Sequence, residues 1–197
     1  MASMNRPGGN FTGVNTRVGE LTTKILGLLH ELVPAAMTIG MIEDAAFSRV
    51  DDDARAATVA LGVNLVLLKA GSDEAIENGF TSMNERRIGA VHIPTSPYFL
   101  TRAKLFATLA ARFKMPVAYA RREFAVMGGL ISYGYDVADS YRELGRYSGR
   151  VLKGTSPADL PVFQPTKFEL VINLKTAKAL GFEIPVKILA LADEVIE

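Results

Sequence analysis

The sequence contains no cysteine, and this absence excludes several kinds of site at once. Disulfides, thiol nucleophiles and thiolate-bound metals all require that residue. Histidine is nearly absent as well, since His30 and His92 are the only imidazoles. His30 falls in a helical pattern and His92 in an apolar run, so we interpret both as packed or surface residues rather than ligands. We therefore expect no catalytic set, no metal and no cofactor.

Strong net charge and long apolar runs are also missing. The 22 Lys and Arg are scattered among 21 Asp and Glu, which leaves a formal net charge of +1. Such a balance does not favour nucleic acid or an anionic membrane surface as a partner, and a small molecule or a protein fits better. No apolar run is long enough to cross a bilayer, and "MASMNRPGG" lacks the pattern of an export signal. We expect neither a signal peptide nor a membrane anchor in the chain as written.

Helix-period and strand-like stretches alternate through the first two thirds of the chain. The predicted strands are continuous apolar runs, which are too apolar for either face to contact water. Such strands indicate a parallel sheet covered by helices on both sides. We therefore predict a doubly wound α/β domain with three layers, α/β/α. Its strands are predicted at 37–42, 63–68, 89–93 and 116–120.

After Ala120 this alternation loosens. A strand is predicted at 128–134, and Asp136 is expected to cap a helix that ends at Gly154. A further strand at 169–173 precedes a short helix. Because these elements follow a complete sheet, we expect them to belong to a second lobe of which the chain holds only a part.

Ligands of open parallel sheets bind beyond the carboxyl ends of the strands. That rule selects four loops, which lie at 43–48, 70–72, 94–98 and 119–123. The third loop, "PTSPY", offers two hydroxyls, a helix start and an aromatic ring, while the fourth, "YARRE", offers a tyrosine and two guanidiniums. Alternatives remain open: Ser96 is also a routine helix cap, and the two arginines suit a solvated surface cluster equally well.

Two further sequence patterns resemble binding motifs but do not indicate a site. The run Asp51 to Asp53 predicts an acidic first helical turn rather than a metal site, because consecutive helical residues point in different directions. The glycine pairs at 8–9 and 128–129 lack the spacing of a phosphate-binding loop. An enzyme on a Rossmann-like sheet is therefore a less favoured hypothesis.

Three segments together resemble a known family. They are "RPGGNFTGV" near the start, the stretch that runs from "GGLISYG" through "PTKFELVINLKTAKALG", and "LALADEVIE" at the end. This combination is similar to the ABC-transporter substrate-binding proteins of the tryptophan/tyrosine type. The resemblance covers nearly the whole chain.

The resemblance implies a type 1 periplasmic-binding fold, in which two α/β lobes close on a small solute without chemistry. Residues 12–125 would form the ligand-binding lobe, 126–175 the returning part of an incomplete first lobe, and 176–197 a tail that crosses back. The family further implies a periplasmic location and an ABC permease as partner. We expect ligand contacts from Phe47, Ser48, Thr95, Ser96, Tyr98, Tyr119 and Arg121, with Tyr133 and Tyr135 near the hinge.

The sequence departs from the family in the loops that would hold the ligand. The aspartate that relatives place in the loop matching "PTSPY" is replaced by Thr95-Ser96. An aromatic or apolar carboxylate is therefore as plausible a ligand as an amino acid. A ligand-sensing lobe of a regulator or chemoreceptor is the alternative function. Apolar faces of the elements after residue 135 predict a homodimer.

Overall fold

The computed structural model describes residues 3–16, 20–46 and 52–197. Within them the chain forms seven strands and nine α-helices, with one short 3₁₀ helix at Pro157–Asp159. The strands are β1 (Thr38–Asp44), β2 (Asn64–Ala70), β3 (Ala90–Ile93), β4 (Val117–Tyr119), β5 (Ile131–Tyr135), β6 (Phe168–Asn173) and β7 (Glu194–Ile196). The helices are α1 (Glu20–Leu32), α2 (Asp52–Leu61), α3 (Asp73–Glu85), α4 (Pro97–Leu100), α5 (Ala103–Arg112), α6 (Arg122–Val126), α7 (Val137–Leu152), α8 (Leu174–Leu180) and α9 (Val186–Leu189).

All seven strands lie in one sheet, in the order β2-β1-β3-β4-β5-β6-β7. Strands β1 to β5 pair in parallel. The amide of Asn173 donates to Leu130 and that of Asp136 to Lys167, so β6 runs antiparallel to β5. Strand β7 pairs in parallel with β6. The predicted doubly wound, mostly parallel sheet is confirmed, and its order reverses direction between β1 and β3.

The two faces of the sheet carry separate apolar clusters. Successive residues of β1 point to opposite faces, so Ile39 and Met41 join one cluster and Ile42 the other. The first cluster includes the buried side of α1, and the second is rich in aromatic rings. A sheet that is buried on both faces explains why its inner strands, such as β3 and β4, consist mostly of apolar residues.

Short polar side chains cap the starts of several helices, including the cap predicted at Asp136. Ser72 accepts a hydrogen bond from the Ala75 amide, and Asp136 accepts one from the Asp139 amide. Asn173 caps α8, and Gly181 closes it with a φ of 77°. After β3 the chain forms two consecutive helices, α4 and α5, which are separated at Thr101 and Arg102.

The chain divides into two compact units. One comprises Met1–Val18 and Tyr135–Phe168, and the other comprises Gly19–Gly134 and Glu169–Glu197. This division differs from the predicted ranges 12–125, 126–175 and 176–197. Most of β5 and β6 belongs to the larger unit because these strands extend the sheet, and Ala177 and Leu180 of α8 lie in its core.

The smaller unit is built around α7. Within it, Val14 and Phe163 form an isolated bridge, and the Thr12 hydroxyl donates to the Leu160 carbonyl at 2.8 Å. Helix α7 leaves large apolar side chains exposed, with Tyr141 69% and Leu152 88% accessible. The predicted exposure of the strand at 169–173 is wrong, because β6 is buried inside the sheet.

Candidate functional site

The carboxyl ends of the parallel strands bring the predicted loops of the larger unit to one edge of the sheet, which we call the carboxyl edge. The register pairs Asp44 with Ala70 and Ile93 with Tyr119, so the loops that follow these residues start side by side. The order of the strands reverses between β1 and β3, which is where ligands bind in sheets of this kind. We therefore describe the carboxyl edge as the candidate site.

Asp44 is the most unusual group at this edge. The residue is only 6% exposed, and its Oδ1 accepts a hydrogen bond of 2.9 Å from the Ala46 amide. Its Oδ2 is buried and has no hydrogen-bond partner within the described part of the chain. Because a buried carboxylate oxygen without a partner is unfavourable, this atom is a candidate for contact with a ligand.

Sequence reasoning selected the loop at 43–48 but did not single out Asp44. The signal was present in "MTIGMIED", where two acids end a strand that is otherwise apolar. Both acids are buried, Glu43 to 4% and Asp44 to 6% exposure. Polar groups at the end of a buried strand are the ones that the rule on parallel sheets would have selected.

Tyr98 forms an exposed cluster with two residues that sequence reasoning missed. Its hydroxyl donates to Asp73 Oδ1 at 2.6 Å, and Arg102 Nε donates to the same oxygen at 2.8 Å. The Arg102 guanidinium also lies over the Tyr98 ring, 4.7 Å from its centroid. The hydrogen bond from Arg102, helped by that from Tyr98, holds the pKa of Asp73 below its usual value. The Tyr98 ring is therefore held in place, and its hydroxyl is already used.

The two hydroxyls of "PTSPY" have different environments. Ser96 is buried, and its Oγ accepts a hydrogen bond of 3.0 Å from the Phe99 amide, which confirms its role as the cap of α4. Thr95 is exposed just before it. Of this pair, only Thr95 presents a hydroxyl that a ligand can reach without displacing a cap.

The arginines of "YARRE" are paired with glutamates. Arg121 makes two hydrogen bonds to Glu123, of 2.6 and 3.1 Å. Arg122 Nη2 lies 2.5 Å from Glu194 Oε2, and Arg122 Nε lies 3.5 Å from Glu169 Oε2. Burial acts to raise the pKa of Glu123, but the hydrogen bond from Arg121 lowers it, and the net direction is downward. A ligand carboxylate would have to compete with these glutamates for either guanidinium.

Tyr119 lies in the core and does not line the edge. Its side chain is fully buried, and its ring stacks on that of Phe124 with centroids 4.8 Å apart. Burial raises the pKa of the Tyr119 hydroxyl, which has no hydrogen-bond partner among the described residues. Strand alternation explains the placement, because Tyr119 shares the face of Val117 in the aromatic cluster.

The remaining residues predicted to contact a ligand do not belong to the Tyr98 cluster. Tyr133 is half-buried against the other face of the sheet, and burial raises the pKa of its hydroxyl. Tyr135 is half-buried and belongs to the smaller unit. Between them, Gly134 closely approaches the backbone of the neighbouring strand, since an added Cβ would lie 2.2 Å from the Ala120 carbonyl oxygen. Phe47 and Ser48 lie outside the described residues.

The described residues form neither a metal cluster nor a membrane-spanning helix. Among residues 3–16, 20–46 and 52–197, no group of three or more acidic or histidine side chains is placed to hold a metal ion. In the same part of the chain, no helix combines the length and the apolar character needed to cross a membrane.

Comparison with known proteins identifies similar chains. The family described as "ABC transporter substrate binding protein" matches residues 1–196. A curated "Tyrosine-binding protein" from Clostridioides difficile (strain R20291) is 25% identical over 190 residues, which cover 92% of this chain and 52% of that protein. The chain thus spans about half the length of this curated relative.

Two solved structures have a similar fold. An "ABC domain in complex with L-Trp" from Streptococcus pneumoniae superposes with a TM-score of 0.86 at 26% identity, covering 98% of this chain and 66% of that one. A "conserved domain protein" from Vibrio cholerae superposes with a TM-score of 0.87 at 21% identity, covering 98% of this chain and 65% of that one. At this lower identity the likeness shows the fold alone.

Proposed function

Because the chain belongs to the ABC transporter substrate-binding protein family, we propose that it is the solute-binding component of an ABC-type transport system. It would capture a small organic solute, an amino acid or an aromatic or apolar carboxylate, and present it to a membrane permease without chemistry. The observation that carries this proposal is the family match over residues 1–196, together with the polar groups that the fold collects at the carboxyl edge. A substrate-binding protein of this family typically acts outside the cytoplasm, so we also propose a periplasmic or extracellular location.

The carboxyl edge would form one wall of the ligand site. We propose that the opposite wall is contributed by residues beyond this chain, because the chain spans only 66% of the structure that holds L-Trp. A solute held by one wall makes fewer contacts than one held by two, so its affinity for this chain alone should be low. Binding to both walls would favour a closed state and so couple capture to transport.

The loop "PTSPY" provides a test of this site. We expect Thr95→Val to weaken binding of an aromatic solute about three- to tenfold, because the change keeps the shape of the side chain and removes one hydroxyl that can hydrogen-bond a ligand. Binding is measured by titrating L-tryptophan and following its indole fluorescence, since the chain itself contains no tryptophan.

Thr81→Val is the matched control, because Thr81 is exposed on α3 and bonds only the Glu77 carbonyl of its own helix. It should leave the affinity unchanged. Equal affinities for the parent and both variants would remove Thr95 from the site. No saturable binding of L-tryptophan or of other aromatic acids at millimolar concentration would count against the proposed function for this chain.

We also propose that the protein forms a homodimer. Its interface would be formed by α7, because β6 is buried in the sheet. Tyr141 and Leu152 give α7 an exposed apolar face, and such faces normally find a partner. Leu152→Glu should shift the protein towards the monomer in light scattering at micromolar concentration. Val186→Glu is the control, since Val186 is 82% exposed on a different helix. A parent protein that is monomeric across this concentration range would contradict the proposal.

A further inference from the structure

The charges at the carboxyl edge are unevenly satisfied. Each arginine at this edge that the structure describes has a carboxylate partner: Arg102 pairs with Asp73, Arg121 with Glu123, and Arg122 with Glu194. One buried carboxylate oxygen, Asp44 Oδ2, has no partner among the described residues. Asp44 Oδ2 therefore lacks a hydrogen-bond donor. A cationic donor would form the strongest hydrogen bond to it.

The position of Asp44 fixes which of its oxygens is available. Oδ1 accepts from the Ala46 amide, and the neighbouring Ala45 amide donates to the Ala70 carbonyl at 3.1 Å. These two bonds hold the turn after β1 against the end of β2. Oδ2 is left as the acceptor at the point where the strand order reverses.

Burial makes this acceptor selective. Asp44 is more than nine-tenths buried, so water solvates its carboxylate poorly. A ligand ammonium would supply a charge-assisted hydrogen bond and offset that loss, whereas a ligand carboxylate would place a second negative charge beside Asp44.

On these grounds, and building on the proposed function, we propose that Asp44 Oδ2 is the recognition group for a protonated amine, and that the solute is an aromatic amine or amino acid rather than a simple carboxylate. The ammonium is the group that this edge requires. A carboxylate on the same solute would contribute little to binding, because reaching an arginine would mean displacing its glutamate or aspartate.

Three indole compounds separate the possibilities. Tryptamine carries only the amine, L-tryptophan carries both groups, and indole-3-propionate carries only the carboxylate. Each is titrated against the chain while its own indole fluorescence is followed, since no protein tryptophan interferes. We expect tryptamine and L-tryptophan to bind at least about tenfold more tightly than indole-3-propionate, as one hydrogen bond to a charged group allows.

Asp44→Asn tests the residue itself. The amide oxygen can still accept from Ala46, so the turn is kept, while the negative charge is lost. We expect the affinities for tryptamine and L-tryptophan to fall at least tenfold and that for indole-3-propionate to change by less than about twofold. Asp159→Asn, an exposed aspartate of the smaller unit, makes the same change away from the edge and should alter none of the three.

The outcomes distinguish this inference from the function on which it rests. If indole-3-propionate binds as tightly as tryptamine, or if Asp44→Asn weakens all three compounds equally, the amine assignment is overturned and solute binding stands. If none of the three binds at millimolar concentration, both the amine assignment and aromatic solute binding by this chain are overturned. Circular dichroism of Asp44→Asn shows whether the variant is folded, and the parent's ranking of the three compounds decides the matter if it is not.

Discussion

Replacing Phe106 with alanine is expected to lower the free energy of unfolding by about 3–5 kcal/mol. Phe106 is fully buried in α5. Its ring centroid lies 4.9 Å from that of Phe99 and 6.0 Å from that of Phe124. The alanine removes most of the contacts at the centre of the aromatic cluster and leaves a cavity that the rigid sheet cannot close. Urea denaturation followed by far-ultraviolet circular dichroism measures the loss.

Phe113→Ala is the matched control for this prediction. Phe113 follows the same helix and contacts the same cluster through Phe80, but it is only partly buried. Because it keeps part of its surface in water, its truncation should cost less than half as much as that of Phe106. Similar losses for the two variants would mean that the cluster is not packed as described.

Replacing Gly134 with alanine is the second large effect that we expect. The added Cβ would lie 2.2 Å from the Ala120 carbonyl oxygen, and no rotation of a side chain can relieve a contact with backbone. Strands β4 and β5 would have to move apart, at a cost of about 3 kcal/mol. The movement would also shift Arg121 at the carboxyl edge, so affinity for any solute should fall together with stability.

A glycine in open space provides the control for Gly134. Gly27 lies in α1, and an added Cβ there meets no atom within 4 Å. Gly27→Ala should therefore stabilise the protein by about 0.5–1 kcal/mol, because alanine loses less backbone entropy in a helix. The two substitutions thus have opposite predicted signs under the same urea titration. Destabilisation by both, or by neither, would contradict the backbone contact described for Gly134.

Much of the fold could be predicted from local patterns. Helix caps such as Ser72, Ser96, Asp136 and Asn173 are recognisable because a short polar side chain satisfies the first free amides of a helix. The continuous apolar strands identified a sheet that is covered on both faces. The close approach at Gly134 could also be inferred, because a glycine between two tyrosines at a strand end leaves room for backbone.

The candidate site was harder to predict, because it depends on which side chains meet. Tyr119 was expected at the edge, but strand alternation turns it into the aromatic cluster. Arg102 and Asp73 are 29 positions apart, and only the adjacent ends of α3 and α4 bring them both to Tyr98. The assignment of 169–173 to a separate lobe overlooked antiparallel pairing, which lets β6 continue the sheet beside β5.

The sequence by itself determined the family, the doubly wound α/β class and the positions of most helix starts, because these follow from the spacing of apolar residues and from bonds between near neighbours. Only the tertiary structure decided which carboxylates have partners. Asp44, Asp73 and Glu123 are equivalent acids in a sequence, but hydrogen bonding and burial depend on residues that folding brings near. Among the described residues, Arg102, Arg121 and Arg122 therefore pair with acids of the chain itself, while one buried carboxylate oxygen at the end of β1 has no donor.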